Sequence, residues 1–531
     1  MNSPSSRLLV FALCFAGGFA SLGAELAASR LLDPWFGNSV LVWAVLIGLI
    51  LCYLAIGSWL GGRLADRNPA PARFYTLAAV AGALLGLVPL VAQPVLRLAA
   101  DVFLTYDLVA LTVSFAAALL LLGAPVILMG CLSPFAVRLL VRNVEDSGRT
   151  TGRVTALATT GSVLGVFVPV LVLIPNLGTR RTFLALGLVL LGLAVVALAQ
   201  ARERLALRRA GLFAIIWVGL LALFLMPPSR IRADATTLYE GESAYNYIQV
   251  VRNGPEVVLK LNEGAGVHSV YRPGMTLADG IWDYFLVAPF FAPGRVRPDD
   301  VHSLLLIGLA AGTVSKLYTA AYGPIRIDGV ELDPAVIEIG RRYFAMTEPN
   351  LRTIASDGRA FLRHASGPYD VIAVDAYRPP YIPFHLTTVE FFQEARSLLS
   401  PNGVVAVNVA RTSADYSLVD AVAGSMEAVF PSVFIIDEPN QGFDLGNSLV
   451  IGTARPTNLG DYAANTSALS DPLLVEVARR SQGHVRVAPG FALEGSSPKG
   501  HGPVLTDDRA PIEQIVHGIV LRYLWGSARA P

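Results

Sequence analysis

Leu304–Leu305–Leu306–Ile307–Gly308–Leu309–Ala310–Ala311–Gly312–Thr313 is an apolar run that ends in a glycine turn. A helical pattern follows, Val314 to Tyr322, and then a second apolar strand, Ile325 to Val330, which ends in Glu331–Leu332–Asp333. This is a strand, a tight turn, a helix, a strand and an acid. Glycine lets backbone approach a ligand, and an acid about 20 residues on can accept both hydroxyls of a ribose. Gly308 and Gly312 are therefore candidate nucleoside-binding positions, with Glu331 as the ribose acid. The same turn also occurs in doubly wound domains for packing alone.

Downstream residues strengthen the nucleoside reading. Leu351 to Ala355 reads as a third strand, ending in Ser356–Asp357–Gly358. Tyr369–Asp370–Val371–Ile372–Ala373–Val374–Asp375 reads as a fourth. Glu331, Asp357 and Asp375 thus stand at the carboxyl ends of successive strands, where open α/β sheets bind ligands. Asp357 also suits a helix N-cap.

The 531 residues allow two or three domains, and a net charge of +1 gives no argument for a nucleic-acid partner. Mean hydropathy is +0.54. The apolar excess lies in the first 228 residues, which contain no lysine. Apolar runs recur at Leu8–Leu32, Ser39–Leu60, Tyr75–Ala99, Leu108–Met129, Val154–Ile174, Thr182–Ala199 and Ala210–Met226. Each is near the roughly 20 residues that span a bilayer. The expectation is a multi-pass cell-membrane domain over 1–228, of about seven spans. The first run lacks a convincing cleavage site and reads as a span rather than a signal peptide.

Arginines cluster after the second run (Arg63, Arg67, Arg73), the fourth (Arg138, Arg142, Arg149, Arg153) and the sixth (Arg202, Arg204, Arg208, Arg209). They place the N-terminus in the cytoplasm. Seven crossings would then put the second half outside, whereas an activity using a cytosolic cofactor wants it inside. Glu25 sits within the first run, and a carboxylate at membrane depth is a candidate functional group. The alternative is a hydrogen-bonded glutamate that only joins helices. Cys14, Cys52 and Cys131 all lie in apolar runs, so the second half offers no disulfide and no cysteine metal site; no metal is expected.

After Pro227–Pro228 the pattern becomes that of strands. Tyr245 to Val251, the turn Asn253–Gly254, Val257 to Leu261 and Val267 to Tyr271 predict a small antiparallel unit over 229–295. Gly280 to Phe290 predicts a linking helix. A Rossmann-like α/β domain is expected over 296–531. The loop Ala376–Tyr377–Arg378–Pro379–Pro380–Tyr381–Ile382–Pro383–Phe384–His385 is shaped by three prolines and suits a cover over the site, or a rigid linker. Val404 to Val409 reads as a strand, and Val433–Ile436 and Ser448–Ile451 as the last two. An amphipathic helix is expected to close the chain.

From Leu238 to Thr453 the sequence resembles the spermidine synthase (polyamine aminopropyltransferase) family, and the whole chain resembles bacterial membrane-fused members. The motifs are Leu261–Asn262–Glu263–Gly264, the Gly308 turn, Glu331–Leu332–Asp333–Pro334, Asp357–Gly358, Tyr369 to Asp375, and Leu398–Leu399 with Asn402–Gly403–Val404. The resemblance implies a methyltransferase-type α/β fold behind a small β domain. It also implies transfer of an aminopropyl group from decarboxylated S-adenosylmethionine to a diamine such as putrescine, with no permanently bound cofactor.

Glu331 would then hold the ribose and Asp357 the adenine amino group, with Gly308, Gly312 and Gly358 beside them. Asp375 would be the general base, and Asp283, Tyr377 and Arg378 would face the acceptor. Three departures stand out. Ala311 replaces an aspartate that grips the donor's amine, Arg378 replaces a second aspartate, and Ile281–Trp282–Asp283 replaces a run carrying a tyrosine. These departures keep S-adenosylmethionine open as the donor of a different transfer, with Arg378 free to pair with its carboxylate. A transporter or sensor with a non-catalytic nucleoside- or polyamine-binding domain is the alternative of another class. The partners expected are the lipid bilayer and a small amine, and a homo-oligomer stays open.

Overall fold

The computed structural model describes residues 4–36, 40–103, 121–141, 143–201, 203–226, 235–262, 266–377, 382–439, 445–488 and 503–527. The chain divides into two compact units, Met1–Arg232 and Ala233–Pro531.

The first unit is helical. It comprises α1 (Pro4–Phe36), α2 (Val40–Arg67), α3 (Pro71–Phe103), helical residues 121–130, α4 (Leu132–Leu140), α5 (Ser147–Val168), a π-helical turn at Pro169–Leu173, α6 (Ile174–Gln200) and α7 (Arg204–Leu225). Among the described residues, six helical stretches are long and apolar enough to cross a membrane. One of them, Val144–Gln200, is 57 residues long and would reach roughly 85 Å at the helical rise, far beyond one bilayer core. It breaks at Gly178, where φ is 77° and ψ 167°. The runs Val154–Ile174 and Thr182–Ala199, separate in the sequence reading, are the two limbs of this one stretch. Part of the run Leu108–Met129 lies outside the described residues.

Small residues let these helices touch backbone to backbone. Gly161 and Gly165 lie against Phe15 and Phe19, and Gly82 lies against Gly187, as in packing between helices that gain nothing from burying apolar surface in lipid. Outward side chains along α2 and α7 include many apolar ones, among them Leu51, Trp59, Ile215 and Leu225. Glu25 is 8% exposed in α1, one turn beyond the buried Ser21.

The second unit opens with an antiparallel sheet, β1 (Thr237–Glu242), β2 (Tyr247–Asn253), β3 (Glu256–Leu261) and β4 (Ser269–Tyr271), in that order. β1 was not expected. Gly254 takes φ 59° in the β2–β3 turn. The expected helix over Gly280–Phe290 is instead one α turn, Ile281–Tyr284, followed by a 3₁₀ segment, Phe285–Phe291. Pro289 has no N–H to continue an α ladder.

The main sheet runs β12-β10-β11-β9-β8-β5-β6-β7. Its strands are β5 (Ser303–Ile307), β6 (Arg326–Glu331), β7 (Leu351–Ala355), β8 (Tyr369–Val374), β9 (Leu399–Thr412), β10 (Ser432–Asp437), β11 (Leu445–Thr453) and β12 (Val485–Val487). β5 to β9 pair in parallel, and β9-β11-β10-β12 are antiparallel. The two strands expected to be last are followed by helices Leu459–Ser467 and Pro472–Ser481 and by β12. Three residues are too few to show an alternation.

All of β5 is buried, because both sheet faces are covered. Leu304 and Leu306 join the core under Phe285–Phe291, while Leu305 and Ile307 join the core with Phe391 and Phe392. The chain moves from β5 to β6 and β7 on one side, and to β8 and β9 on the other. The crevice outside the ends of β5 and β8 is thus the topological switch point.

Candidate active site

The glycine turn lies directly on this crevice. Gly308 has φ 91° and Ala310 φ 47°. A side chain at Gly308 would collide with the carbonyl oxygen of Asp375, so the turn can touch the end of β8 only without a Cβ. Gly312, also at φ 91°, starts helix α8 (Thr313–Tyr322), and a Cβ there would lie 2.7 Å from Met346 Sδ. Ala311 is buried, and its N–H donates to Ser269 Oγ at 3.0 Å.

Glu331 at the end of β6 accepts from the N–H groups of Ala310 (2.9 Å) and Asp333 (3.1 Å). Burial nevertheless pushes its carboxyl up to about 7. Asp333 accepts from Ala335 N–H (3.0 Å) and from Asn246 Nδ2 (2.9 Å) on the small sheet. It ties the end of β6 to the β1–β2 connection.

Asp375 ends β8 and anchors its own N–H on Ile307 O at 2.8 Å. Its Oδ2 accepts from Trp282 Nε1 at 2.9 Å and its Oδ1 from Asn408 Nδ2 at 2.8 Å. Burial raises it to about 6 despite both donors. Trp282, and not its neighbour Asp283, faces this carboxylate. Asp283 is 1% exposed and accepts from the N–H groups of Ala278 (2.7 Å) and Asp279 (3.0 Å), with Arg480 at 3.6 Å. Tyr377 donates its hydroxyl to Asn408 O at 3.1 Å and accepts from Ala410 N–H. It therefore fixes β9 next to Asp375. Arg378, Glu263 and Gly264 lie outside the described residues.

On the far flank, Asp357 ends β7 and caps helix α9 (Gly358–Leu362), its Oδ1 accepting from Ala360 N–H at 2.9 Å. Its Oδ2 lies 3.0 Å from His385 Nε2. Burial works to raise this carboxyl, but the helix N–H groups and His385 outweigh it and hold it below its usual range. A side chain at Gly358 would strike Ile307. Arg359 follows, with a 7% exposed side chain bound to Glu394 at 3.0 Å and to Asp507 at 2.6 Å.

The structure thus brings Gly308, Glu331 and Asp375 together at one switch point, and Asp357 and Gly358 onto its flank. Trp282, Asn408, His385 and Arg359 were not singled out as site groups from sequence. Asn408 did leave a signal, because it is the one polar residue in Val404–Val405–Ala406–Val407–Asn408–Val409–Ala410.

The spermine/spermidine synthase domain family matches residues 307–436. The chain is 29% identical over 305 residues to a probable polyamine aminopropyl transferase of Bifidobacterium longum, covering 54% of this chain and 64% of that one. It is 31% identical over 202 residues to a polyamine aminopropyltransferase of Vibrio vulnificus, covering 36% and 66%. A polyamine aminopropyltransferase of Mycobacterium tuberculosis is 26% identical over 546 residues, covering 96% of each chain. The chain therefore spans just under two thirds of the first two relatives and nearly all of the third, helical unit included. The domain match falls on the strands that carry Gly308, Glu331, Asp357, Asp375 and Asn408, and the chain is a spermidine synthase-like protein.

Proposed function

We propose that the α/β unit transfers an aminopropyl group from decarboxylated S-adenosylmethionine to an amine such as putrescine, releasing methylthioadenosine. The observation that carries this reading is Asp375. It is a half-buried carboxylate at the switch point, raised to about 6 by desolvation and fixed by Trp282 and Asn408. A protonated amine has no lone pair. Asp375 takes its proton, the freed nitrogen attacks the carbon next to the sulfonium, and the C–S bond breaks as the C–N bond forms. In this reading Glu331 holds the ribose hydroxyls, with Gly308 and Gly312 giving backbone access, while Asp357 and Gly358 border the adenine. Acid side chains suit a cationic acceptor.

The helical unit anchors the enzyme in a bilayer. We place the α/β unit on the cytoplasmic side, with its adenosyl donor. The arginine pattern with an odd number of crossings favours the other side, and protease accessibility in sealed vesicles separates the two. One observation favours S-adenosylmethionine and a different transfer: Ala311 presents no carboxylate to a donor amine. The test is incubation of the purified full chain, beside Asp375→Asn, with decarboxylated S-adenosylmethionine and putrescine. Spermidine and methylthioadenosine, both lost in the variant, establish the reading. Tight methylthioadenosine binding without product moves it to the other donor.

A further inference from the structure

Asn408 is 6% exposed. Its Nδ2 donates to Asp375 Oδ1 at 2.8 Å, and a carboxylate accepts only, so the amide cannot be turned round. The orientation leaves Asn408 Oδ1 buried and without a hydrogen-bond partner among the described residues. A buried acceptor with no donor is costly and calls for an explanation. Here it belongs to the side chain that holds the candidate base.

On the reading that Asp375 is the base, we propose that Asn408 Oδ1 is the second acceptor for the attacking nitrogen, and that the site thereby selects primary amines. A neutral primary amine has two N–H groups and one lone pair. One N–H meets the Asp375 oxygen that has not taken the proton, the other meets Asn408 Oδ1, and the lone pair is left pointing at the donor carbon. A neutral secondary amine has one N–H and leaves one acceptor unsatisfied. The transferred product is itself a secondary amine at that nitrogen, so the same arrangement stops a second transfer there. Asn408 touches substrate in this account, whereas Trp282 acts through Asp375 as a positioning residue.

The test uses the full chain in detergent, with Asn408→Leu, which matches the side chain in size, and Asn408→Ser as a second variant should the first not fold. Putrescine binding is measured by calorimetry with methylthioadenosine already bound. The expected result is roughly tenfold weaker putrescine binding in the variant, with methylthioadenosine affinity unchanged. Equal putrescine affinity in variant and parent overturns the inference, whether or not the protein turns over. In turnover, kcat/KM for putrescine is compared with that for N,N′-dimethylputrescine. A primary-amine preference of about tenfold or more should collapse in Asn408→Leu. A merely structural Asn408 lowers both amines equally and leaves the ratio intact, which also overturns the inference. Weaker putrescine binding in the variant with no product from the parent supports the amine site and overturns the reaction reading instead.

Discussion

The two flanks of the crevice use carboxylates in opposite ways. At the switch point, burial pushes Asp375 up to about 6 and Glu331 up to about 7. Their partners are N–H donors that carry no charge. Across the crevice, Glu394 and Asp507 are held below their usual range by Arg359 and Arg363, and Asp357 by helix N–H groups and then by its contact with His385. A carboxylate paired with a cation is satisfied and holds structure together. A carboxylate kept from water and given only neutral donors keeps a capacity for protons and for ligand hydroxyls.

The largest expected effect tests whether the switch-point acid does chemistry. Asp375→Asn should cost about 10³-fold in kcat/KM with methylthioadenosine affinity retained, the range for losing a positioned general base. Equal activity in the variant removes Asp375 from the reaction. On the opposite flank the effect should be on stability. Arg359→Leu leaves Glu394 and Asp507 without their buried cation. It should lower stability by about 2 kcal/mol, below the range for a fully buried broken ion pair because both acids stay partly hydrated. Thermal unfolding measures it, and an unchanged midpoint would show that this flank is not structural.

Glu331→Gln should weaken methylthioadenosine binding roughly tenfold, because a charged acceptor for the ribose hydroxyls is lost. Calorimetry reads this directly, and an unaltered affinity would take the ribose away from Glu331. The pH dependence should be milder and of opposite sign for activity and stability. Asp375 must be ionised to take a proton, so turnover falls as the pH drops through about 6. Its folded value lies above its ordinary 3.8. The stability it contributes is therefore complete below that ordinary value and is lost as the pH rises through about 6. Replacing Asp375 with Asn should flatten both profiles. On the other flank, Asp357 contributes stability above its ordinary value that is lost only on strong acidification.

The α/β framework was legible because β5 and β8 are buried on both faces and read as mainly apolar runs that end in a turn or an acid. The helical unit was legible by run length alone. The Gly178 break was legible too, since it falls in the polar stretch Pro175–Arg181 between the runs Val154–Ile174 and Thr182–Ala199. β1 carries mixed polarity and a half-buried pattern, so it gave no alternation to read. Asp283 illustrates the limit at the site. The sequence placed an acid beside Trp282, but which of two neighbours faces Asp375 depends on how one helical turn is rotated.

Residue types at strand ends are a local property, so the sequence by itself determined the order of strands and acids and the family resemblance built on them. Partnership is not local. Trp282 reaches Asp375 across 93 positions and Asn408 reaches it across 33, while Arg359 meets Asp507 across 148. Only the folded sheet brings these donors to these carboxylates. That pairing, together with burial, decides which acid is raised for chemistry and which is held down as a strut.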